Sequence, residues 1–230
     1  LWGYLLPIGL LLLSWGGLPP KKARRITPLA ALAVAVTVLS YWAVGYALHL
    51  GGAHALNPDN SELAGLDMIF APSGWGLIGL KGFALSGDGV TSTVLSLFLT
   101  YLPLVAAAVF LVMLTLIDVG FWISILAGTL LGAIIFPVAA CWVWGGGWLA
   151  TLGETINLAH GFVDFGGSSL VLWLPGALAF GILLAQPRAE PESPLRAPPA
   201  HYPLLANVGA FIMGIGWIGW GLSEPFHTYG

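Results

Sequence analysis

Long apolar runs, each closed by glycine, proline or charge, fill most of this sequence and leave too little polar surface for a soluble fold. A helix that crosses a bilayer needs about 20 mostly apolar residues. Scanning at that length gives six candidate spans, approximately 1–15, 27–50, 91–117, 121–142, 168–185 and 204–222. Only 7% of the residues are Asp, Glu, Lys or Arg, against about 25% in a soluble chain, and the mean hydropathy is +0.91. The expected fold class is therefore all-α. The chain reads as one integral membrane domain over 1–230, a polytopic helix bundle of about six transmembrane helices whose first partner is the lipid bilayer.

The same composition removes whole classes of function. Seven Lys plus Arg and a net charge of -3 cannot neutralise a nucleic-acid backbone, so no nucleic-acid partner is expected. The single cysteine, Cys141, excludes an internal disulfide and any cluster built on several cysteines. No pair among His49, His54, His160, His201 and His227 has metal-ligand spacing, and all five fall at span ends or in loops. Neither a metal nor a cofactor is implied, and a proton relay along imidazoles is not expected. No nucleophile with its base and no paired carboxylates lie within a span, so the chain does not read as an enzyme.

Charge is confined to the breaks between spans. Residues 16–26 carry Lys21, Lys22, Arg24 and Arg25, and the proline-rich segment 186–203 carries Arg188 and Arg196. Threading six spans alternately puts those two loops on one side, with six of the seven cations, and leaves Lys81 on the other. By the positive-inside rule loops 16–26 and 186–203 are cytoplasmic and the amino end is outside, in a plasma or inner membrane. The connection from Gly51 to Gly89 is long and polar; within it, Gly74 to Leu80 is apolar but too short to span and reads as an interfacial or re-entrant segment.

Few polar groups remain at depth. Asp118 lies in the tight turn between spans three and four and reads as a turn residue facing water. Asp164 opens span five in Asp164-Phe165-Gly166-Gly167-Ser168-Ser169, where a carboxylate can cap a helix start or contribute to a binding site. In Trp144-Gly145-Gly146-Gly147-Trp148 the tryptophans suit interfacial anchoring, while the glycines also suit a vestibule where a ring faces a cation. Gly128 with Gly132, and Gly214 with Gly216 and Gly219, are spaced for close helix packing.

Five segments in register, Trp15-Gly16-Gly17-Leu18, Trp42 to Leu48, Trp144 to Gly147, Val163 to Gly167 and Gly216 to Trp220, together with the His201 loop, resemble the ammonium transporter family (Amt/Mep/Rh). The resemblance covers the whole chain and implies the first six of a typical eleven spanning helices. Such proteins pair two inverted five-helix repeats around a pore and assemble as trimers. By resemblance Trp144 matches the aromatic residue of the outer ammonium site and Asp164 the acid that supports it. Leu172 stands where the family carries its first pore histidine, Glu224 where the site has a serine, Trp220 at one gate phenylalanine, and Pro103 close to the other. Two functions follow as expectations. One is a non-conducting structural subunit, packed against other membrane protein subunits. The alternative is an ammonium or ammonia channel completed by a separate second half or by oligomerisation.

Overall fold

In hydrocarbon every backbone N–H and C=O must find a partner within its own segment, so the apolar runs fold as helices. The structure, a computed structural model, describes residues 2–87, 89–157, 161–186 and 199–223, with Glu154, Phe165 and Ser223 described by backbone alone. Its long helices are α1 (Trp2–Gly17), α2 (Pro20–Leu50), α3 (Ser92–Thr115), α4 (Phe121–Val143), α5 (Ser169–Ala185) and α6 (Pro203–Ser223). Four of these, α2, α3, α4 and α6, are long and apolar enough to cross a membrane, and α1 and α5 are shorter. The molecule is an all-α membrane bundle that carries, among the described residues, one two-stranded hairpin.

Helix α3 is the core. Leu104, Val105, Ala108 and Val109 are wholly enclosed, and α1, α2, α4 and α5 pack around it. Its start is held from outside the bilayer. Thr91 caps it by accepting from Val94 N–H (3.3 Å) and donates to the Glu62 carbonyl (2.8 Å). The Glu62 carboxylate accepts from the Thr93 and Ser92 hydroxyls, and the Thr93 hydroxyl holds its carboxyl below the usual range. A carboxylate at a helix start also complements the positive end of the dipole.

The most intimate pair is α1 with α6. A Cβ on Gly9 would lie 2.4 Å from Met213 N, and one on Gly209 would lie 2.3 Å from Leu13 N. Gly216 and Gly219 continue the seam against Leu5 and Trp2, while Gly214 faces open space. A second crossing joins α2 and α4 where each contains a π turn, Tyr41–Gly45 and Leu131–Ile135. There Gly132 packs on the Ser40 hydroxyl and Gly45 on the Gly132 carbonyl.

Alternate ends of the helices gather as two caps. At one, Lys22 pairs with Asp118 (2.6 Å), Arg25 reaches the same carboxylate (3.2 Å), and His201 N–H donates to the Leu18 carbonyl. At the other, Trp148 N–H donates to the Gly76 carbonyl (2.8 Å) and Trp142 Nε1 to the Leu77 carbonyl (2.9 Å). The corner α1–α2 and the turn α3–α4 therefore share one end.

Three features differ from the sequence expectations. The break 16–26 is mostly helix: α2 begins at Pro20, which suits a first helical position, so all four cations ride on its opening turns. The Gly74–Leu80 segment is not helical; its end supplies β2 (Ile78–Gly79), which pairs with β1 (Ile69–Phe70) as a hairpin with Ile69 opposite Gly79. Asp118 is not merely a solvated turn residue but the partner of Lys22 and Arg25. Its ion pairs are about half exposed, so Asp118→Asn is expected to lower stability in detergent by no more than about 1 kcal/mol, measured by thermal unfolding. Residues 187–198 and Glu224 lie outside the described residues, as do Asp88, His160 and His227.

Candidate functional site at the α4 end

Helix α4 ends at Val143, and Trp144 N–H donates to the Ala140 carbonyl (2.7 Å), followed by Gly145 N–H on the Ala140 and Cys141 carbonyls (3.1 Å each). The chain then turns sharply, with Gly147 N–H on the Cys141 carbonyl (2.8 Å). Gly145 has no room for a Cβ, which would sit 2.0 Å from the His49 carbonyl, so the end of α2 reaches in against the end of α4. This approach turns the Trp144 ring inward rather than to the interface, where it is 5% exposed.

An aromatic cluster results. Tyr101 from α3 lies 5.4 Å from Trp144 and from Trp220 of α6, measured between ring centroids. Trp220 is 6.3 Å from Trp144, Phe136 is 6.4 Å and His49 is 6.0 Å. His49 also packs edge-on against Tyr101 at 4.8 Å. Both indoles are buried within this cluster, Trp220 more deeply than Trp144.

Asp164 supports this cluster from below. Its carboxylate, largely buried, accepts from Ser169 N–H (3.2 Å) and from the Ser168 and Ser169 hydroxyls, and so satisfies orphan donors at the start of α5. The cap sets the path of Gly166 and Gly167, both left-handed with φ of +74° and +72°. Gly167 in turn faces the rings, since a Cβ there would lie 3.0 Å from Trp144 and 3.4 Å from Trp220 Nε1. The structure thus brings Trp144, Trp220 and Asp164 together in one support.

Leu172 is elsewhere. It sits in the π turn Ser169–Trp173 of α5, half exposed, beside Leu6, Leu10, Leu111, Met213 and Trp217. Pro103 is buried within α3 behind Gly3, whose Cβ would lie 3.2 Å from the proline ring.

Three residues of the cluster, Tyr101, Phe136 and His49, are not marked as site residues by the sequence. His49, placed by sequence at a span end, is completely enclosed, with Nδ1 bonded to the Tyr41 hydroxyl at 2.8 Å. Its Nε2 and the Trp144 Nε1 are buried and meet no hydrogen-bond partner among the described residues. Where the Tyr41 hydroxyl donates to Nδ1, Nε2 is the protonated ring nitrogen. Among the described residues no group of three His, Cys, Asp or Glu side chains could hold a metal ion.

Residues 3–222 match the Ammonium Transporter Family. The chain belongs to that family. It is 27% identical to ammonium transporter Amt2 of Archaeoglobus fulgidus over 96% of this chain and 44% of that protein. It is 26% identical to the ammonium transporter of Bacillus subtilis, over 93% of this chain and 48% of the relative. Against ammonium transporter 1 member 3 of Solanum lycopersicum it is 25% identical, over 94% and 44%. The chain therefore spans a little under half the length of the curated relatives it matches. These relatives carry transporter names, not enzyme names.

Proposed function

We propose that the chain forms one part of an ammonium-transporter-type scaffold and, by itself, conducts neither ammonium nor ammonia, serving as a structural subunit against which other membrane subunits pack. The carrying observation is the surface at Leu172. Passage of an ammonia molecule or a proton at depth requires polar groups that can accept or donate, and Leu172 offers none to a lining in which Leu6, Leu10, Leu111 and Met213 are apolar and Trp217 can only donate. The Trp144 cluster fits the scaffold's ancestry without opening a path to the surface, because both of its indoles are buried. The orientation that fits is the one with the α1–α2 corner cytoplasmic, since Lys21, Lys22, Arg24 and Arg25 lie at that end and Lys81 at the other.

A second reading has its own support. If a further half or further copies complete the pathway, ammonium is the species that the ring faces of Trp144, Trp220 and Tyr101 suit as a recognition site. One experiment separates the two. The purified chain is reconstituted in liposomes and internal pH is followed after an ammonium pulse. The expected trace coincides with that of protein-free vesicles; faster alkalinisation that Trp144→Leu abolishes overturns the structural reading in favour of the channel.

A further inference from the structure

At the cap where α1–α2 and α3–α4 meet, a cleft of about 350 Å³ opens between the two corners, within the range of small-molecule sites. Its walls are Pro28, Leu29 and Leu32 of α2 against Ile117 and Phe121, and Arg25, Asp118 and Ser124 stand at its polar edge. The cleft is thus apolar on one side and charged at its rim. Phe121 and its neighbour Trp122 are 60% and 77% exposed, so the apolar wall continues onto the lipid-facing surface.

The rim is unbalanced electrostatically. Lys21, Lys22, Arg24 and Arg25 lie in the first turns of α2, which hold no acidic residue, and cations at a helix start oppose the positive end of its dipole. Asp118 answers Lys22 and Arg25 at once, and neither corner carries another carboxylate. Among the described residues, four cations thus meet one carboxylate at this end of the bundle, and Arg25 brings that positive stretch to the edge of the apolar wall.

We propose that this cleft binds an anionic phospholipid. The phosphate lies on the Lys21, Arg24 and Arg25 charges, and one acyl chain runs along Leu29, Leu32 and Phe121. The chemistry matches on both sides, since basic pockets between transmembrane helices attract anionic headgroups and the walls need an apolar cover. A zwitterionic lipid would fill the walls equally well but would bring its own cation to a rim that already has too many.

The test uses the whole chain in dodecyl maltoside with dioleoyl phosphatidylglycerol or dioleoyl phosphatidylcholine as probe, read by thermal unfolding and by native mass spectrometry of retained lipid. Phosphatidylglycerol at a hundredfold over its Kd is expected to raise Tm by about 5 °C, and phosphatidylcholine by less than half of that. Lys21→Gln with Arg24→Gln is expected to remove most of the phosphatidylglycerol shift, measured from the variant's own lipid-free Tm. Leu29→Trp, which fills the cleft and leaves the charges, is expected to reduce the number of retained lipids. Equal shifts from the two lipids, or a full shift in the double variant, overturn the proposal. So does the same shift from glycerol phosphate, which would make the site one for a soluble anion.

Discussion

Gly209→Leu is expected to prevent assembly of the bundle. A side chain at this position begins 2.3 Å from Leu13 N and 2.7 Å from the Gly9 carbonyl, both backbone atoms of α1 that no rotamer change can move. The helices must separate along the whole seam, which also releases Gly16 from Ala206 and Gly216 from Leu5. Overpacking in ordinary cores costs about 1–3 kcal/mol, where side chains can yield; here the cost is on the order of 3 kcal/mol or more, a large share of the about 5–15 kcal/mol that holds a domain together. Size-exclusion chromatography in detergent should show loss of the monodisperse species. Gly214→Leu provides the control on the same helix, because a Cβ there meets nothing within 4 Å. That variant is expected to fold, helped by the better helix propensity of leucine. Equal loss in both would place the cause outside the α1–α6 seam.

Gly167→Ala is expected to disturb the aromatic cluster through a single methyl group. With φ at +72° the residue occupies a left-handed conformation that costs an L-residue about 1–2 kcal/mol, and the added carbon would press on Trp144 at 3.0 Å. Together these effects should lower stability by about 2–3 kcal/mol. Because the strain falls on Trp144 and Trp220, tryptophan emission should shift as well. Asp164→Asn, which keeps the size of the cap but loses the charge that strengthens its bonds to Ser168 and Ser169, is expected to act in the same direction with about 1–2 kcal/mol. An unchanged unfolding curve for Gly167→Ala would show that the rings do not rest on this turn.

Much of the candidate site was visible as residue types yet not as an arrangement. Trp144, Asp164 and Trp220 stand out in the sequence by their setting among glycines, but nothing in that setting says that Gly167 lies under both indoles. His49 reads in sequence as a span-end residue, because Leu50, Gly51 and Gly52 end its span just beyond it. A signal did exist in Tyr41, eight positions earlier, although in a regular α-helix that separation leaves two side chains about 80° apart. The π turn Tyr41–Gly45 inserts the extra residue that returns the pair to one face, and no sequence pattern announced it. The hairpin Ile69–Gly79 was hidden for a similar reason, since two-residue strands are too short to show alternation.

Hydropathy by itself determined that this chain is a bundle of membrane helices, because segments of that length and apolarity have no other stable solution in a bilayer. The order and spacing of its tryptophan, glycine and aspartate segments carried the resemblance to the ammonium transporter family that the match over 3–222 then showed. Only the tertiary structure decided which helices touch. The α1–α6 seam joins residues some two hundred positions apart, and it depends on where bare backbone meets bare backbone. It also decided that Asp118 gathers Lys22 and Arg25 and that His49 closes on Trp144. Local sequence sets how each helix forms, whereas these contacts are set by how all the helices exclude lipid together.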